Sequence, residues 1–363
     1  MKRVAVVGAG AAGLTAALRA AESGARVTLL NSHPEPGLKI LMSGGSRCNV
    51  THREVEARDY HGGSRHVVAR ILRAFPAEAT RAWFESLGVP VVLEEDGRCF
   101  PAGEDARSVL EALLGAGERA GVVLERGARV VRLERGGGAA GAGGVAATGG
   151  GAPWRLGVRT VASGGELPAA ARAIGGTEWP LPAGEPGRWL EAEAVVLATG
   201  GLSYPRTGCD GSGYALAAAL GHTIVAPVPA LTPLTSDDPL CVFVQGLALE
   251  AELTLVAGGM PLESVRGPLL FTHFGLSGPA ALDLSRSWLR AAERGERTVR
   301  ASFCPGSTRE ELLADWARSA QAEPRLTVRR WLAQRLPDRL AVVLCAEVGV
   351  GAARYASQVE RGR

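Results

Sequence analysis

The clearest hydrophobic pattern lies at the start of the chain, where an apolar run, a glycine turn and an amphipathic stretch follow one another. Val4–Val7 is continuously apolar, as in a buried strand, and leads into Gly8. Small and apolar residues then recur at helical spacing, at Leu14, Ala17, Leu18 and Ala21. Gly24 ends that helix, and a second apolar run ends at Asn31. The pattern predicts a strand–turn–helix–strand unit over residues 2–31.

Later segments give weaker patterns of the same kind. They predict helices over about 64–87, 108–120 and 214–220, short strands over 122–124 and 128–133, and a buried strand over 194–197. From about 227 to 304 the pattern is mostly strand-like, as in Ala248–Val256 and Leu269–Thr272. One helix interrupts this region, and Ser277 before Gly278 and Pro279 is its predicted N-cap. Residues 307–348 read as mostly helical, followed by a polar helix-like tail beyond 349.

Two stretches rich in glycine, alanine and proline, near 136–152 and 163–188, interrupt the first part of the chain. The first contains a second glycine pattern, Gly136-x-Gly138-x-x-Gly141, but no amphipathic helix follows it. We therefore expect both stretches to be insertions in a hairpin region, the first a flexible surface loop.

Composition narrows the class of protein. The 363 residues suffice for two domains, and 46% hydrophobic with 21% charged residues is ordinary for a globular protein. The net charge is only +3, and no basic run with interleaved aromatics points to nucleic acid. Six cysteines without C-x-x-C pairs, no export signal and no long apolar stretch predict reduced thiols in the cytoplasm and no membrane span. The histidines show no metal-ligand spacing, so no metal site is predicted.

The glycines of the opening unit match a dinucleotide-binding fingerprint. Gly8 permits the tight turn, Gly10 lets the backbone approach a pyrophosphate, and Gly13 lets helix and strand pack closely. Backbone N–H groups and the positive end of the helix dipole then face the phosphates. The residue that ends the second strand is usually Asp or Glu and binds a ribose hydroxyl, whereas here it is Asn31. Asn31 could still hold the ribose weakly or could simply end the strand at a turn; both alternatives stay open.

Four segments carry a resemblance to a known family. They are Gly8–Gly13, Lys39–Asn49 (Lys-Ile-Leu-Met-Ser-Gly-Gly-Ser-Arg-Cys-Asn), Ala198–Gly208 and Phe271–Pro279. Together they resemble the bacterial NAD(P)/FAD-dependent oxidoreductases of the aminoacetone-oxidase type, a group that includes a bile-acid-pathway enone reductase. The resemblance covers essentially the whole chain.

The resemblance implies an α/β fold: an FAD-binding Rossmann-like domain of the glutathione-reductase type, with an inserted β-barrel-like subdomain and a small helical subdomain. These would be residues 1–228, 229–305 and 306–348, with an incomplete tail at 349–363 returning toward the flavin domain. By position, the residues that would contact FAD are Gly8, Gly10, Ala12, Gly13, Asn31, Lys39, Ser43, Gly44, Gly45, Arg47, Cys48, Asn49, Val130, Thr199 and Gly200. NAD(P)H would be a transient electron donor, and the acceptor a small or polycyclic molecule with an activated C=C or C=N bond. The oligomeric state stays open.

Three departures from the family pattern stand out. Asn31 replaces the acidic residue, Ser46 replaces a third glycine, and a final glycine- and acid-containing flavin-domain segment is not found before Arg363. Asn31 and the absent segment motivate an alternative, a degenerate or truncated nucleotide-binding protein without turnover. A flavin-dependent RNA-modifying enzyme is a third possibility, which the lack of a basic, aromatic-bearing surface disfavours.

No residue is a strong catalytic candidate. Cys48, Tyr204 and His273 are weak ones: a free cysteine is commonly a small buried hydrophobe, and a histidine beside a strand is more often structural than a proton donor. Arg47 could balance pyrophosphate charge or join a surface ion pair, and the sequence favours the first. The catalytic groups are therefore unassigned at this point.

Overall fold

The computed structural model describes residues 1–103, 105–136, 153–161 and 181–359. The second glycine pattern beyond Gly136 and most of the second insertion lie outside these residues. The chain divides into two compact units, Met1–Ala226 and Pro227–Arg363, close to the predicted boundary at residue 228.

The first unit alternates helices and strands. Its helices are α1 (Ala11–Glu22), α2 (Leu38–Met42), α3 (Arg65–Ala74), α4 (Ala77–Ser86), α5 (Ala106–Arg119) and α6 (Ser212–Ala219). Its strands are β1 (Arg3–Val7), β2 (Arg26–Asn31), β3 (Thr51–His52), β4 (Val91–Leu93), β5 (Arg98–Pro101), β6 (Val123–Arg126), β7 (Ala128–Arg135), β8 (Trp154–Thr160), β9 (Arg188–Ala192) and β10 (Ala194–Leu197). The predicted opening unit is confirmed as β1, α1 and β2.

A parallel sheet of order β10-β1-β2-β6 is the centre of this unit. One face, with Val6 and Leu29, packs against α1 and α5. The other face, with Val7 and Leu30, packs against the antiparallel sheet β7-β8-β9. Helices on one side and an antiparallel sheet on the other bury both faces of the central strands, which is why β1 and β2 read as continuous apolar runs. The predicted Rossmann-like fold is confirmed.

Several predicted elements need correction. The helix over 64–87 is two helices, α3 and α4, because Pro76 forces Phe75 out of the helical region (φ −143°) and begins the second helix. Strand β10 is not buried, since it is an edge strand among the described residues and Val196 is 37% exposed. The remaining strands and helices predicted in this unit are confirmed with shifted ends.

The second unit contains strands β11 (Leu234–Thr235), β12 (Ala248–Ala257), β13 (Met260–Thr272), β14 (Gly275–Ser277) and β15 (Arg297–Ser302) and helices α7 (Pro239–Phe243), α8 (Pro279–Arg290), α9 (Arg309–Ala322), α10 (Val328–Ala333) and α11 (Asp338–Glu347). The strands form one antiparallel sheet, β11-β14-β13-β12-β15, whose inner residues share a core with α8. The predicted β-rich region and the helical region after it are confirmed.

Two local predictions in this unit were wrong. Ser277 ends β14 and is not an N-cap; Gly278, at φ +86°, precedes α8 and makes no side-chain cap. The tail beyond Gly349 has one short 3-10 turn, Ala356–Gln358, in its described part instead of a polar helix. None of the helices in the described ranges combines the length and the apolar character needed to cross a membrane.

Candidate functional site

A crevice of about 440 Å³ opens at the carboxyl edge of the parallel sheet, where β1 and β2 end. In doubly wound folds this edge is where ligands bind. The crevice is bordered by the glycine turn before α1, the segment after β2, the strand β7, the loop after β10 and the start of α6. All of these segments lie within the first unit.

The glycine turn has the close backbone packing that its sequence predicts at Gly8 and Gly13. Gly8 is in the left-handed region (φ +104°), and a methyl group on it would overlap the carbonyl oxygen of Ala198. A methyl on Gly13 would overlap the carbonyl oxygen of Gly8, so α1 can pack here only on glycine. Gly10 has an ordinary φ of −85°, and its missing Cβ faces open space, with nothing within 4 Å. Gly8 and Gly13 therefore serve the fold, while Gly10 keeps the crevice accessible.

Asn31 is buried and joins the two segments that border the crevice. Its Oδ1 accepts a hydrogen bond from the backbone N–H of Ala9 (3.0 Å), within the glycine turn. Its Nδ2 donates to the carbonyl oxygens of His33 (2.6 Å) and Glu35 (3.2 Å) after β2. A carboxylate has no N–H to donate, so Asp or Glu could not make the last two bonds. Asn31 therefore links the turn to the loop after β2, and a contact of its side chain with a ribose stays a prediction.

A buried ion pair that the sequence did not reveal lies at the same crevice. Arg129 of β7 lines the crevice, and its Nη2 is 2.6 Å from Oδ2 of Asp210. The Asp210 side chain is 2% exposed, and its Oδ1 accepts from the N–H of Ser212 (3.0 Å) at the start of α6. The glycines at 208, 211 and 213 around Asp210 were a signal that could have drawn attention to this loop.

Eight of the predicted cofactor residues line the crevice: Gly8, Gly10, Ala12, Asn31, Lys39, Val130, Thr199 and Gly200. Lys39, in α2, extends across to the loop after β10, where its Nζ donates to Oγ of Ser203 (2.9 Å). Thr199 packs closely on Gly213, and a methyl group added to Gly213 would overlap the hydroxyl of Thr199. Gly13 lies beneath the turn. The roles of all these residues toward a cofactor stay predictions.

The segment Ser43–Asn49 does not line the crevice. It leaves the end of α2 as a tight turn in which Gly44, Gly45, Ser46 and Cys48 all have positive φ, between +56° and +72°. Ser46 (φ +72°) therefore occupies a conformation that favours glycine. A serine in place of the glycine of the family pattern is thus strained at this position. With its amide oriented to suit its neighbours, Asn49 donates to the carbonyl oxygens of Thr51 (2.7 Å) and Cys99 (3.2 Å).

Arg47 forms an ion pair, which was the less favoured of its two predicted roles. Its two terminal nitrogens bind the two carboxylate oxygens of Glu94 at 2.9 and 3.2 Å, in a bidentate arrangement. Its guanidinium also lies 3.8 Å from the ring centroid of Phe100. The side chain thus joins the glycine-rich segment to β5 rather than facing the crevice.

The three weak catalytic candidates lie in different surroundings. Cys48 is buried, and burial raises the pKa of its thiol more than its hydrogen bond with Ser43 lowers it. Tyr204 is 67% exposed, in the loop after β10. His273 is exposed in the turn between β13 and β14, edge-on to Phe274. The raised pKa of the Cys48 thiol favours its neutral form, and no described contact singles out Tyr204 or His273 for chemistry.

Among the described residues, no three His, Cys, Asp or Glu side chains come close enough together to hold a metal ion. The six cysteines, all within the described ranges, are unpaired.

Comparison with known proteins gives two family matches. The HI0933-like protein Rossmann domain matches residues 2–166, and the HI0933-like protein barrel and H2TH domain matches residues 228–362. A 3-dehydro-bile acid delta(4,6)-reductase of Clostridium scindens is 29% identical over 94% of this chain and 74% of its own length. Ribosomal RNA dihydrouridine synthases of Haemophilus influenzae and Escherichia coli are 27% and 28% identical over 95% and 92% of this chain, and 74% and 71% of their own lengths.

Proposed function

Because this chain belongs to the HI0933-like family of FAD-binding oxidoreductases, we propose that its first unit holds FAD in the crevice and that the protein reduces an organic acceptor with electrons from NAD(P)H. The observation that carries the proposal is the geometry of the glycine turn. Gly10 leaves the start of α1 open to a ligand, while Gly8 and Gly13 hold the turn in place. Backbone N–H groups at such a start favour an anionic bridge such as a diphosphate.

The chain's own residues have distinct tasks in this arrangement. The N-terminus of α1 would hold the diphosphate, and Val130 with Arg129 would border the adenosine half. Thr199 and Gly200, at the end of β10, would border the opposite part of the cofactor. Bound FAD supplies the hydride chemistry, and the protein binds and orients it and excludes competing reactions.

The names of the relatives support an activated C=C bond as the acceptor. A 3-dehydro-bile acid delta(4,6)-reductase reduces double bonds conjugated with a ketone, and dihydrouridine is uridine whose ring double bond, next to a carbonyl, has been reduced. The two substrates differ greatly in size and charge but share a C=C bond conjugated with C=O. We propose this bond type as the reducible group for this protein.

A stepwise anaerobic experiment tests the proposal. Purified protein reconstituted with FAD is mixed with NADH or NADPH, and the flavin absorbance is followed. We expect bleaching, and then recovery of the absorbance when 2-cyclohexen-1-one or a steroid 4,6-dien-3-one is added without oxygen. Binding of FAD without bleaching by either donor would support the alternative of a nucleotide-binding protein without turnover. Bleaching without recovery by any conjugated ketone would reject small conjugated ketones as the acceptor.

A second acceptor, uridine in RNA, has one structural observation in its favour. Helix α3 exposes Arg65, Arg70 and Arg73 within an arc of about 140° at 3.6 residues per turn. None of the three has a carboxylate partner among the described residues, so they form a cationic face. The sequence shows no basic run here because the three arginines are not adjacent along the chain. Such a face suits a phosphate backbone.

An assay of dihydrouridine formation in ribosomal RNA distinguishes the two acceptors. If RNA is the substrate, dihydrouridine should form in rRNA treated with the reduced protein, and replacing the three arginines with serine should weaken RNA binding without changing the bleaching by NAD(P)H. If the small conjugated ketone is the substrate, the same triple variant should reduce it at the unchanged rate and no dihydrouridine should form.

A further inference from the structure

The second unit contains a pocket of its own, of about 220 Å³, between the inner face of its sheet and the helices α7 and α8. Its floor is apolar and buried, with Leu269 fully inaccessible and Phe271 1% exposed. Trp288 and Phe303 add aromatic walls, and Thr235, Ser236 and Asp238 form a polar rim. An apolar floor with a few polar groups at one side is the usual build of a small-molecule site.

Strand β15 shows which side chains face the pocket. Val299, Ala301 and the following Phe303 line it, whereas Arg300 and Ser302 do not. This alternation follows the two-residue period of a strand. Ala301 is exposed but pairs with the buried Leu253 on the neighbouring β12, so the two side chains lie on the same face of the sheet. A large side chain at Ala301 would therefore fill the pocket, and the same side chain at Ser302 would point away.

The rim carries a negative charge. Asp238 is the single charged residue among the described residues of the lining. Its Oδ1 accepts from the N–H of Leu240 (2.9 Å) as the N-cap of α7, which fixes the carboxylate at the mouth. The nearby Cys241 is buried, and burial together with Asp238 raises the pKa of its thiol, so it adds no second charge.

We propose that this pocket binds a small aromatic amine, with its ring against Trp288 and the contacting pair Phe271 and Phe303, and its ammonium group at Asp238. The volume suits one ring, since an engineered apolar cavity of about 150 Å³ binds benzene. The aromatic walls favour a planar ring by edge and offset contacts. The carboxylate at the mouth selects a cation over a neutral or anionic ligand of the same shape. Every printed lining residue of this pocket belongs to the second unit, and none of them lines the cofactor crevice.

Fluorine NMR on the full chain tests the proposal with two probes of equal shape, 4-fluorobenzylamine and 4-fluorobenzyl alcohol. We expect the amine to bind and the alcohol to bind about threefold more weakly, because a single partly exposed ion pair contributes little to the affinity. Asp238→Asn keeps the N-cap and should remove this preference. Ala301→Trp should lower the affinity for both probes at least tenfold, and the matched control Ser302→Trp should leave both affinities unchanged.

Each outcome decides the matter. Binding that Ala301→Trp abolishes and Ser302→Trp preserves would place the probe in the pocket. Absence of saturable binding of the amine, or equal binding to the Ala301→Trp variant, would overturn the site. A preference for the amine that survives Asp238→Asn would overturn the proposed role of the carboxylate. Circular dichroism of each variant shows that a loss of binding is not a loss of folding.

Discussion

Replacement of Gly10 by alanine separates cofactor binding from folding. Gly10 has φ −85° and ψ −172°, which any residue adopts, and nothing lies within 4 Å of the position of the added methyl. The change removes backbone freedom from the unfolded chain, worth about 0.4–1 kcal/mol, and replaces a favourable N-cap residue, which costs a similar amount. We therefore expect the free energy of unfolding without ligand to change by less than about 1 kcal/mol.

The same methyl group would project into the space that the proposed diphosphate needs. Forcing an extra carbon into a close contact costs about 1–3 kcal/mol, which corresponds to a rise of about 5-fold to 150-fold in the dissociation constant of FAD. Gly13→Ala is the contrasting variant, because its methyl would overlap the backbone of Gly8. It should lower the stability of the protein even in the absence of FAD.

Two measurements on each variant check this reasoning. Urea denaturation gives the stability of the ligand-free proteins, and quenching of flavin fluorescence gives the affinity for FAD. We expect Gly10→Ala to fold normally and bind FAD weakly, and Gly13→Ala to be destabilised. Wild-type affinity in Gly10→Ala would refute the position assigned to the diphosphate.

Three further changes have expected results. Ser46→Gly should raise the free energy of unfolding by about 1 kcal/mol, because a side chain at φ +72° costs about 1–2 kcal/mol, and the larger entropy of glycine in the unfolded chain offsets part of the relief. The control Ser64→Gly, at φ −69°, should not stabilise the protein, and a stabilisation by this control would contradict the argument. Asn31→Asp should lower stability by about 1–3 kcal/mol in urea denaturation, since two carbonyl oxygens lose their donor; unchanged stability would show that the amide is not the tie. Alkylation of Cys48 by iodoacetamide, mapped by mass spectrometry on the folded protein, should be slow at pH 7 and rise with pH, because the raised pKa keeps the thiol protonated; rapid labelling at pH 7 would contradict this.

Local pattern was sufficient for the central part of the fold. The first strand and helix are defined by an apolar run and by glycines such as Gly13, whose close contact with Gly8 lies within the same segment, whereas the contact of Gly8 with Ala198 is distant in sequence. The predictions that failed depend on single residues whose effect is local but easily overlooked, such as Pro76, which divides α3 from α4. Others depend on neighbours distant in sequence, such as the edge position of β10.

The site was predictable to a similar extent. Residues placed by the fingerprint, such as Gly10, line the crevice, whereas Arg47, placed by a motif alone, pairs with Glu94, which comes 47 residues later. The buried pair of Arg129 and Asp210 joins residues 81 positions apart, and no local pattern could bring them together.

The most direct test of the account is competition at the crevice. If the start of α1 holds a diphosphate and the crevice holds the adenosine half, ADP should displace FAD from the wild-type protein, and FMN, which lacks the adenosine diphosphate part, should not bind. FMN binding as tightly as FAD, with no displacement by ADP, would contradict the assignment of the glycine turn to the diphosphate.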